Sequence, residues 1–182
     1  MKQEPDVQVR WVYFPLHPET PLEGRSLEDL FKGRPREQID GFRQQMKSLM
    51  DAEGLPYGDR TMTWNSRLAQ ELGAWADTRP DGEKIHDILY RAYFVDNLNI
   101  GDVDVLVSLA EQAGLPAEEA REVLNRRSFS DRIDQDWHRA AASGITGVPS
   151  FVSNNLCVVG CQPYEVLMRF VNHLRELRDN PA

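Results

Sequence analysis

Residues 143–152 have the sequence SGITGVPSFV, in which glycines and a proline stand directly before an apolar run. Glycine weakens the interior of a strand, and proline has no backbone N–H to donate to a sheet. Gly144, Gly147 and Pro149 therefore indicate a specific backbone geometry at the entrance to a buried strand. The function of that geometry depends on the segments that surround it.

The segment after this turn has the pattern of a β-hairpin followed by a helix. Two short apolar runs, at 148–152 and 156–160, are separated by the compact turn sequence SNN, which predicts two antiparallel strands. Pro163 then opens a segment whose apolar residues recur every three or four positions, as on an amphipathic helix.

The segment before the turn is predicted to be one strand and a long run of helices. Residues 7–14, VQVRWVYF, alternate in the way of a half-buried strand, and a proline-rich loop follows. From Ser26 to about residue 142 the apolar period becomes helical. Residues typical of helix starts and helix ends divide this part of the chain into separate helices. They are Ser26, Pro35, Asn65, Asp102, Gly114 and Pro116. The helix that follows Pro35 is predicted to lie on the surface.

Composition and charge argue against several functional classes. The chain of 182 residues has a net charge of −8 and a pI near 5.0, so nucleic acid would repel it on average. Its longest apolar runs have four or five residues, far fewer than the roughly 20 that a membrane span requires. No secretory signal opens the sequence. We therefore expect a cytoplasmic protein that binds neither nucleic acid nor membrane.

The histidines give no sign of a metal site. His17, His86, His138 and His173 are far apart in the sequence, and none has a Cys or His partner at the spacing of a metal ligand pair. No G-x-S-x-G motif supports a serine nucleophile. We therefore expect no bound metal.

Five longer stretches match a known family in the same order along the chain. They are VQVRWVYFPLHPETPLEG (7–24), NSRLAQELGAWA (65–76), LYRAYFVDNLNIGDVDVLVSLAEQAGL (89–115), ASGITGVPSFV (142–152) and VVGCQPYEVLMRF (158–170). Together they resemble the DsbA-like family of thiol–disulfide oxidoreductases, in particular its cytoplasmic branch, which has a helical insertion in a thioredoxin fold. The resemblance covers nearly the whole chain.

The resemblance implies an α/β fold, thioredoxin-like with a large all-helical insertion. Residues 1–25 and 143–182 would form a partial thioredoxin-like domain, and residues 26–142 would form the helical insertion domain. The family's first strand and first helix have no counterpart, since the sequence begins at the family's second strand. A sheet without that central strand has open edges. We therefore expect either a truncated form of a longer protein or a homo-oligomer in which a second copy fills the gap.

The resemblance also offers an answer for Pro149. The family has a cis-proline before its third strand, and the sequence GVPSF at 147–151 places Pro149 there. A cis bond would turn the backbone N–H and C=O of Val148 outward, where an extended peptide or a thiol substrate can bind. Gly147, Val148 and Pro149 are therefore the expected substrate-binding residues. A trans proline at a strand edge is the alternative.

The two cysteines do not match the family's catalytic pattern. Its Cys-x-x-Cys pair at the start of the first helix is absent, and only Cys157 and Cys161 are present. On one extended strand they would lie roughly 13 Å apart, beyond the ~7 Å limit for a disulfide, unless the chain bends at Gly160. Cys157 is expected to be a small buried apolar residue. Cys161 precedes a helix N-terminus and is the candidate catalytic residue, with an inert thiol as the alternative.

Three functions remain open. By resemblance, the chain is a thiol–disulfide oxidoreductase of the DsbA-like type without a redox-active pair of its own. The alternatives are a glutathione-dependent isomerase or transferase of the kappa type, and a non-catalytic thioredoxin-like module for binding or oligomerisation. The expected partner is a thiol or disulfide substrate, either a peptide or a small molecule. No cofactor is expected, and glutathione stays open as a thiol co-substrate.

Overall fold

The computed structural model describes residues 4–179, which form helices and two short antiparallel sheets. In chain order the elements are β1 (Arg25–Ser26), α1 (Leu27–Leu30), α2 (Arg36–Ala52), β2 (Met62–Thr63), α3 (Arg67–Ala76), α4 (Lys84–Phe94), α5 (Val103–Gln112), α6 (Ala117–Arg126), α7 (Ser130–Ala142), β3 (Ser150–Ser153), β4 (Leu156–Val159) and α8 (Tyr164–Asp179). Across residues 4–179, every helix is too short or too polar to cross a lipid bilayer.

The chain divides into two compact units. The helical unit runs from His17 to Asp134, and the hairpin unit combines the residues up to Leu16 with those from Gln135 onward. These limits differ from the predicted boundaries at 26 and 142. The loop after Leu16 belongs to the helical unit, where the side chain of Asn65 donates a 2.7 Å hydrogen bond to the carbonyl of Thr20. The division into evolutionary domains stays a prediction.

The helical unit has a continuous apolar core. The side chains of Leu72, Trp75, Ile85, Leu106 and Leu124 are all at most 1% exposed, and complete burial of such a side chain stabilises a fold by about 1.5–3 kcal/mol. These residues come from the apolar faces of α3, α4, α5 and α6. The 3.6-residue period of the sequence therefore identified the faces on which the helices pack.

Most of the predicted helix boundaries are confirmed by the capping contacts. The Asp102 carboxylate accepts a 3.0 Å hydrogen bond from the Val105 amide at the start of α5. Gly114, just past the end of that helix, has a φ of +80°, a conformation that glycine adopts at little cost. Pro35 immediately precedes α2, which buries none of its residues, as the sequence predicted.

A buried carboxylate lies among these helices. The side chain of Glu71 is fully buried, and its two oxygens accept hydrogen bonds of 2.6–2.8 Å from Arg67 and Arg127. Arg67 also donates to Asp134 at 2.7 Å and to the carbonyl of Ser130 at 2.8 Å. Burial by itself would raise the pKa of Glu71, but the hydrogen bonds from Arg127 and Arg67 outweigh burial and lower it. Glu71 is therefore held as an anion.

The predicted strand at residues 7–14 is wrong. This segment forms no strand, and Val9, Trp11 and Val12 are exposed. The Tyr13 amide donates to the buried Asp136 carboxylate of α7, at 3.3 Å, rather than to a neighbouring strand. Alternating apolar residues favour an extended backbone, but a strand also needs a partner for its hydrogen bonds.

The predicted hairpin and the helix after it are confirmed. Strands β3 and β4 pair antiparallel with Val152 opposite Cys157, and Asn154 in the turn has a φ of +52°. Helix α8 begins directly after Pro163. The small β1–β2 sheet was not predicted, because two-residue strands are too short to show a period.

An arginine of α8 holds the N-terminal segment of the hairpin unit. Arg175 donates hydrogen bonds to both carboxylate oxygens of Asp6, at 2.5 and 3.0 Å, and one to Glu4 at 2.8 Å. These hydrogen bonds to Arg175 are the largest cause that lowers the pKa of Asp6 to about 2. Residues 4–6 are thereby tied to the C-terminal helix.

We predict that Glu71→Gln destabilises the protein by about 3–5 kcal/mol, because two guanidinium groups lose the anion that they share at a buried site. Denaturant unfolding followed by circular dichroism measures this change. The matched control is Glu122→Gln on α6, whose side chain is 57% exposed and pairs with the exposed Arg126. Its effect is expected to stay within about 0.5 kcal/mol. Equal effects of the two variants would contradict the role of Glu71.

We predict that the Asp6 carboxyl titrates near pH 2, as the hydrogen bonds from Arg175 require. Because the pKa is lower in the folded than in the unfolded chain, the stabilisation by this pair is complete above about pH 4. It is lost as the pH falls through about 2. NMR titration of the carboxyl carbon measures the pKa.

The variant Arg175→Gln should move the Asp6 pKa up toward its ordinary value of about 4. Arg169→Gln, at an exposed position on the same helix, is the control and should leave the Asp6 pKa unchanged. A pKa of Asp6 that does not respond to Arg175→Gln would show that this arginine does not hold the N-terminal segment.

Candidate functional site

The loop that leads from α7 into β3 carries the residues that the sequence singled out. Gly144 follows the end of α7 with a φ of +67°, and the Ile145 amide donates to the carbonyl of Ala140 at 3.0 Å. Glycine is favoured in this left-handed position after a helix. Gly144 therefore ends the helix.

The proline loop, defined as residues Gly147, Val148 and Pro149, enters β3 directly. The peptide bond between Val148 and Pro149 is cis, and the side chain of Val148 is 52% exposed. The Ser150 hydroxyl donates a 2.7 Å hydrogen bond to the carbonyl of Gly147, which holds the loop against the first residue of the strand. Within residues 4–179, the backbone N–H and C=O of Val148 have no hydrogen-bond partner.

One backbone hydrogen bond brings Cys161 to this loop. The Gly160 amide donates to the carbonyl of Pro149 at 2.8 Å, which extends the hairpin by one pair beyond Ser150 and Val159. Paired antiparallel residues and successive residues have fixed Cα separations, so the Cα atoms of Pro149 and Cys161 lie at most about 9 Å apart. The proline loop and Cys161 therefore lie close together.

Both cysteines are free thiols and both are exposed. The predicted burial of Cys157 is therefore wrong. Along β4, Leu156 and Val158 are half-buried whereas Cys157 and Val159 are exposed, because alternate side chains point to opposite faces of a strand. An apolar run gives no indication of which face another element covers.

The exposed face of the hairpin is apolar. Cross-strand partners share a face, and the register pairs Val152 with Cys157 and Ser150 with Val159. Val152 is 50% exposed and Val159 is 55% exposed. In the part of the chain that the structure describes, β3 has one strand partner only, so its outer edge can accept an added strand.

The histidines are placed away from any cluster of ligands. His17 pairs with Glu19 at 3.4 Å, His86 with Asp77 at 2.7 Å, and His173 with Glu176 at 3.6 Å. Between residues 4 and 179, no three His, Cys, Asp or Glu side chains come together as a metal site would require.

The comparison with protein families agrees with this arrangement of loop, hairpin and helices. The model of the DSBA-like thioredoxin domain matches residues 1–172. The chain belongs to the DSBA-like thioredoxin domain family. The predicted family and the α/β thioredoxin-like fold with its helical insertion are thereby confirmed. The 182 residues contain no Cys-x-x-Cys motif.

Two relatives show how far the likeness extends. The Bacillus subtilis (strain 168) protein YwbO is 24% identical over 173 residues, which cover 92% of this chain and 82% of YwbO. The crystal structure of a probable DsbA oxidoreductase, SCO1869 from Streptomyces coelicolor, is similar with a TM-score of 0.80 and 32% sequence identity. The matched region covers 87% of this chain and 71% of the SCO1869 chain.

A third similarity concerns the fold alone. The structure of a 2-hydroxychromene-2-carboxylate isomerase is 14% identical with a TM-score of 0.65, covering 85% of this chain and 78% of the isomerase. Identity this low supports a shared thioredoxin-like scaffold and not a shared activity, since one scaffold carries many chemistries.

We predict that both cysteines of the native protein react with 5,5′-dithiobis(2-nitrobenzoic acid), because both thiols are free and exposed. The absorbance should report two equivalents per chain for the native protein and one for Cys157→Ser. If the native protein releases fewer equivalents than the denatured protein, at least one thiol is shielded and the placement described above is wrong.

Proposed function

We propose that this protein catalyses thiol–disulfide exchange through a single cysteine, Cys161, beside the proline loop. The hydrogen bond between the Gly160 amide and the Pro149 carbonyl, at 2.8 Å, carries the proposal because it sets an exposed thiol next to that loop. Membership of the DSBA-like thioredoxin domain family supports the same class of chemistry.

Substrate binding is assigned to the backbone of the loop and to the outer edge of β3. The N–H and C=O of Val148 have no partner within residues 4–179. An extended peptide can pair with such groups by strand addition, which places its own sulfur near Cys161. Gly147 precedes Val148, and the position that a Cβ atom would take there is open, which leaves space for a main chain to approach.

The chemistry needs one protein thiol and one external thiol. The Cys161 thiolate attacks one sulfur of a substrate disulfide, the bond between the two substrate sulfurs breaks, and the second sulfur leaves as a thiolate. A glutathione thiolate then attacks the substrate sulfur of the mixed disulfide. The new disulfide joins glutathione to the substrate, and the Cys161 thiolate is restored. Glutathione is therefore proposed as the co-substrate that replaces a second protein cysteine.

A non-catalytic binding module is the second candidate. The exposed apolar face of the hairpin, with Val152 and Val159 both at least half exposed, favours it because such a face is usually covered by a partner. The predicted homo-oligomer would cover it with a second copy. The predicted cytoplasmic location would keep both thiols reduced.

We predict that Cys161→Ser reduces exchange to the uncatalysed rate, since the hydroxyl cannot form the mixed disulfide. The assay follows a disulfide-linked fluorescent peptide with reduced glutathione as the second thiol. In the Cys157→Ser background, intact-mass spectrometry after incubation with glutathione disulfide should show an adduct that the double variant Cys157→Ser/Cys161→Ser lacks. Cys157→Ser is the matched control, because it removes the other exposed thiol, and it should retain turnover.

Two outcomes would overturn the catalytic proposal. Full turnover by Cys161→Ser would show that Cys161 is not the nucleophile. Absence of turnover in the unaltered protein, together with saturable binding of a reduced extended peptide, would favour the binding module instead.

A further inference from the structure

The helical unit contains a cleft that thiol exchange does not use. Its volume is about 390 Å³, within the range of about 300–1,000 Å³ found for small-molecule sites. All residues that line it belong to the segment from His17 to Asp134. One wall is apolar and consists of Leu22, Leu68, Val103 and Leu124.

The polar wall is positively charged. It consists of Asn65, Arg67, Asn125 and Arg127, and no acidic side chain lines the cleft, although the chain as a whole carries a net charge of −8. The guanidinium groups of Arg67 and Arg127 share the buried anion Glu71, and Arg67 also pairs with the exposed Asp134. The four charges balance overall, but both cations and neither anion line the cleft.

Glu71 fixes the orientation of Arg127 and leaves its Nη1 group available to donate a hydrogen bond to a ligand. The Nε and Nη2 atoms of Arg127 donate to the two oxygens of Glu71 at 2.8 and 2.6 Å, a bidentate contact that fixes the plane of the guanidinium group. Its Nη1 makes no hydrogen bond to any residue between 4 and 179. The exposed side-chain amide of Asn125, on the same wall, likewise has no partner in that range.

We propose that this cleft binds a small amphipathic carboxylate. Its carboxylate accepts hydrogen bonds from Arg127 Nη1 and Asn125 Nδ2, and its apolar part contacts Leu22, Leu68 and Val103. A planar guanidinium group matches a carboxylate, and the charged side chains that line the cleft are both cations. A phosphate has no apolar part to contact the leucines and Val103, so it fits this cleft less well.

The first test compares three probes by isothermal titration calorimetry. Sodium octanoate should bind saturably, and octan-1-ol, which has the same chain and no charge, should bind about tenfold or more weakly, as expected for the loss of a charge-assisted contact. Inorganic phosphate should bind more weakly than octanoate. Absence of saturable octanoate binding would overturn the proposal, as would equal affinity for octanol or tighter binding of phosphate.

The second test locates the site without disturbing Glu71. Leu22→Asp adds a negative charge at an exposed position of the apolar wall, where the side chain is 71% exposed, and should weaken octanoate binding about tenfold or more. Leu55→Asp makes the same substitution at a side chain that is 51% exposed and lies outside the cleft, and should not change the affinity. Asn125→Ala should weaken binding, because it removes the amide donor.

Equal effects of Leu22→Asp and Leu55→Asp on the affinity would place octanoate elsewhere and overturn the proposal. Circular dichroism checks that each variant is folded. This proposal does not depend on Cys161, so octanoate binding should be unchanged in Cys161→Ser.

Discussion

A carboxylate that is excluded from water must be held by cations, and this constraint determines how α3, the end of α6 and the start of α7 are joined within the helical unit. Glu71 of α3 accepts hydrogen bonds from Arg67 of the same helix and from Arg127 just after α6. Arg67 also donates a hydrogen bond to the carbonyl of Ser130 at the start of α7. Removal of Glu71 would leave Arg127 without its ion-pair partner, and removal of either arginine would leave the buried carboxylate with one cation instead of two. The same contacts orient Arg127 toward the cleft of this unit.

The hairpin unit depends on a different kind of contact. The bond between the Gly160 amide and the Pro149 carbonyl extends the β3–β4 register to the residue just before Cys161. Gly160 has a φ of +89°, which is accessible to glycine at low cost and lets the chain turn away from the strand. A thiol and a loop with free backbone groups are thereby brought together by local pairing alone.

The proposed function keeps the family's class of chemistry and changes how the second thiol is supplied. The 182 residues contain no Cys-x-x-Cys, so the exchange proposed for Cys161 takes its second thiol from solution. Fold membership therefore narrows the class of substrate, whereas the positions of individual sulfur atoms determine which reaction steps can occur.

The sequence by itself determined the helices, the hairpin and most of their ends, because these depend on neighbours within a few residues. The cap at Asp102 and the left-handed turn at Gly114 are examples. Only the tertiary structure decided that Cys157 is exposed, that residues 7–14 form no strand, and that Glu71 meets a guanidinium group 56 positions away. Those outcomes depend on contacts between distant segments, which leave no periodic pattern in the sequence.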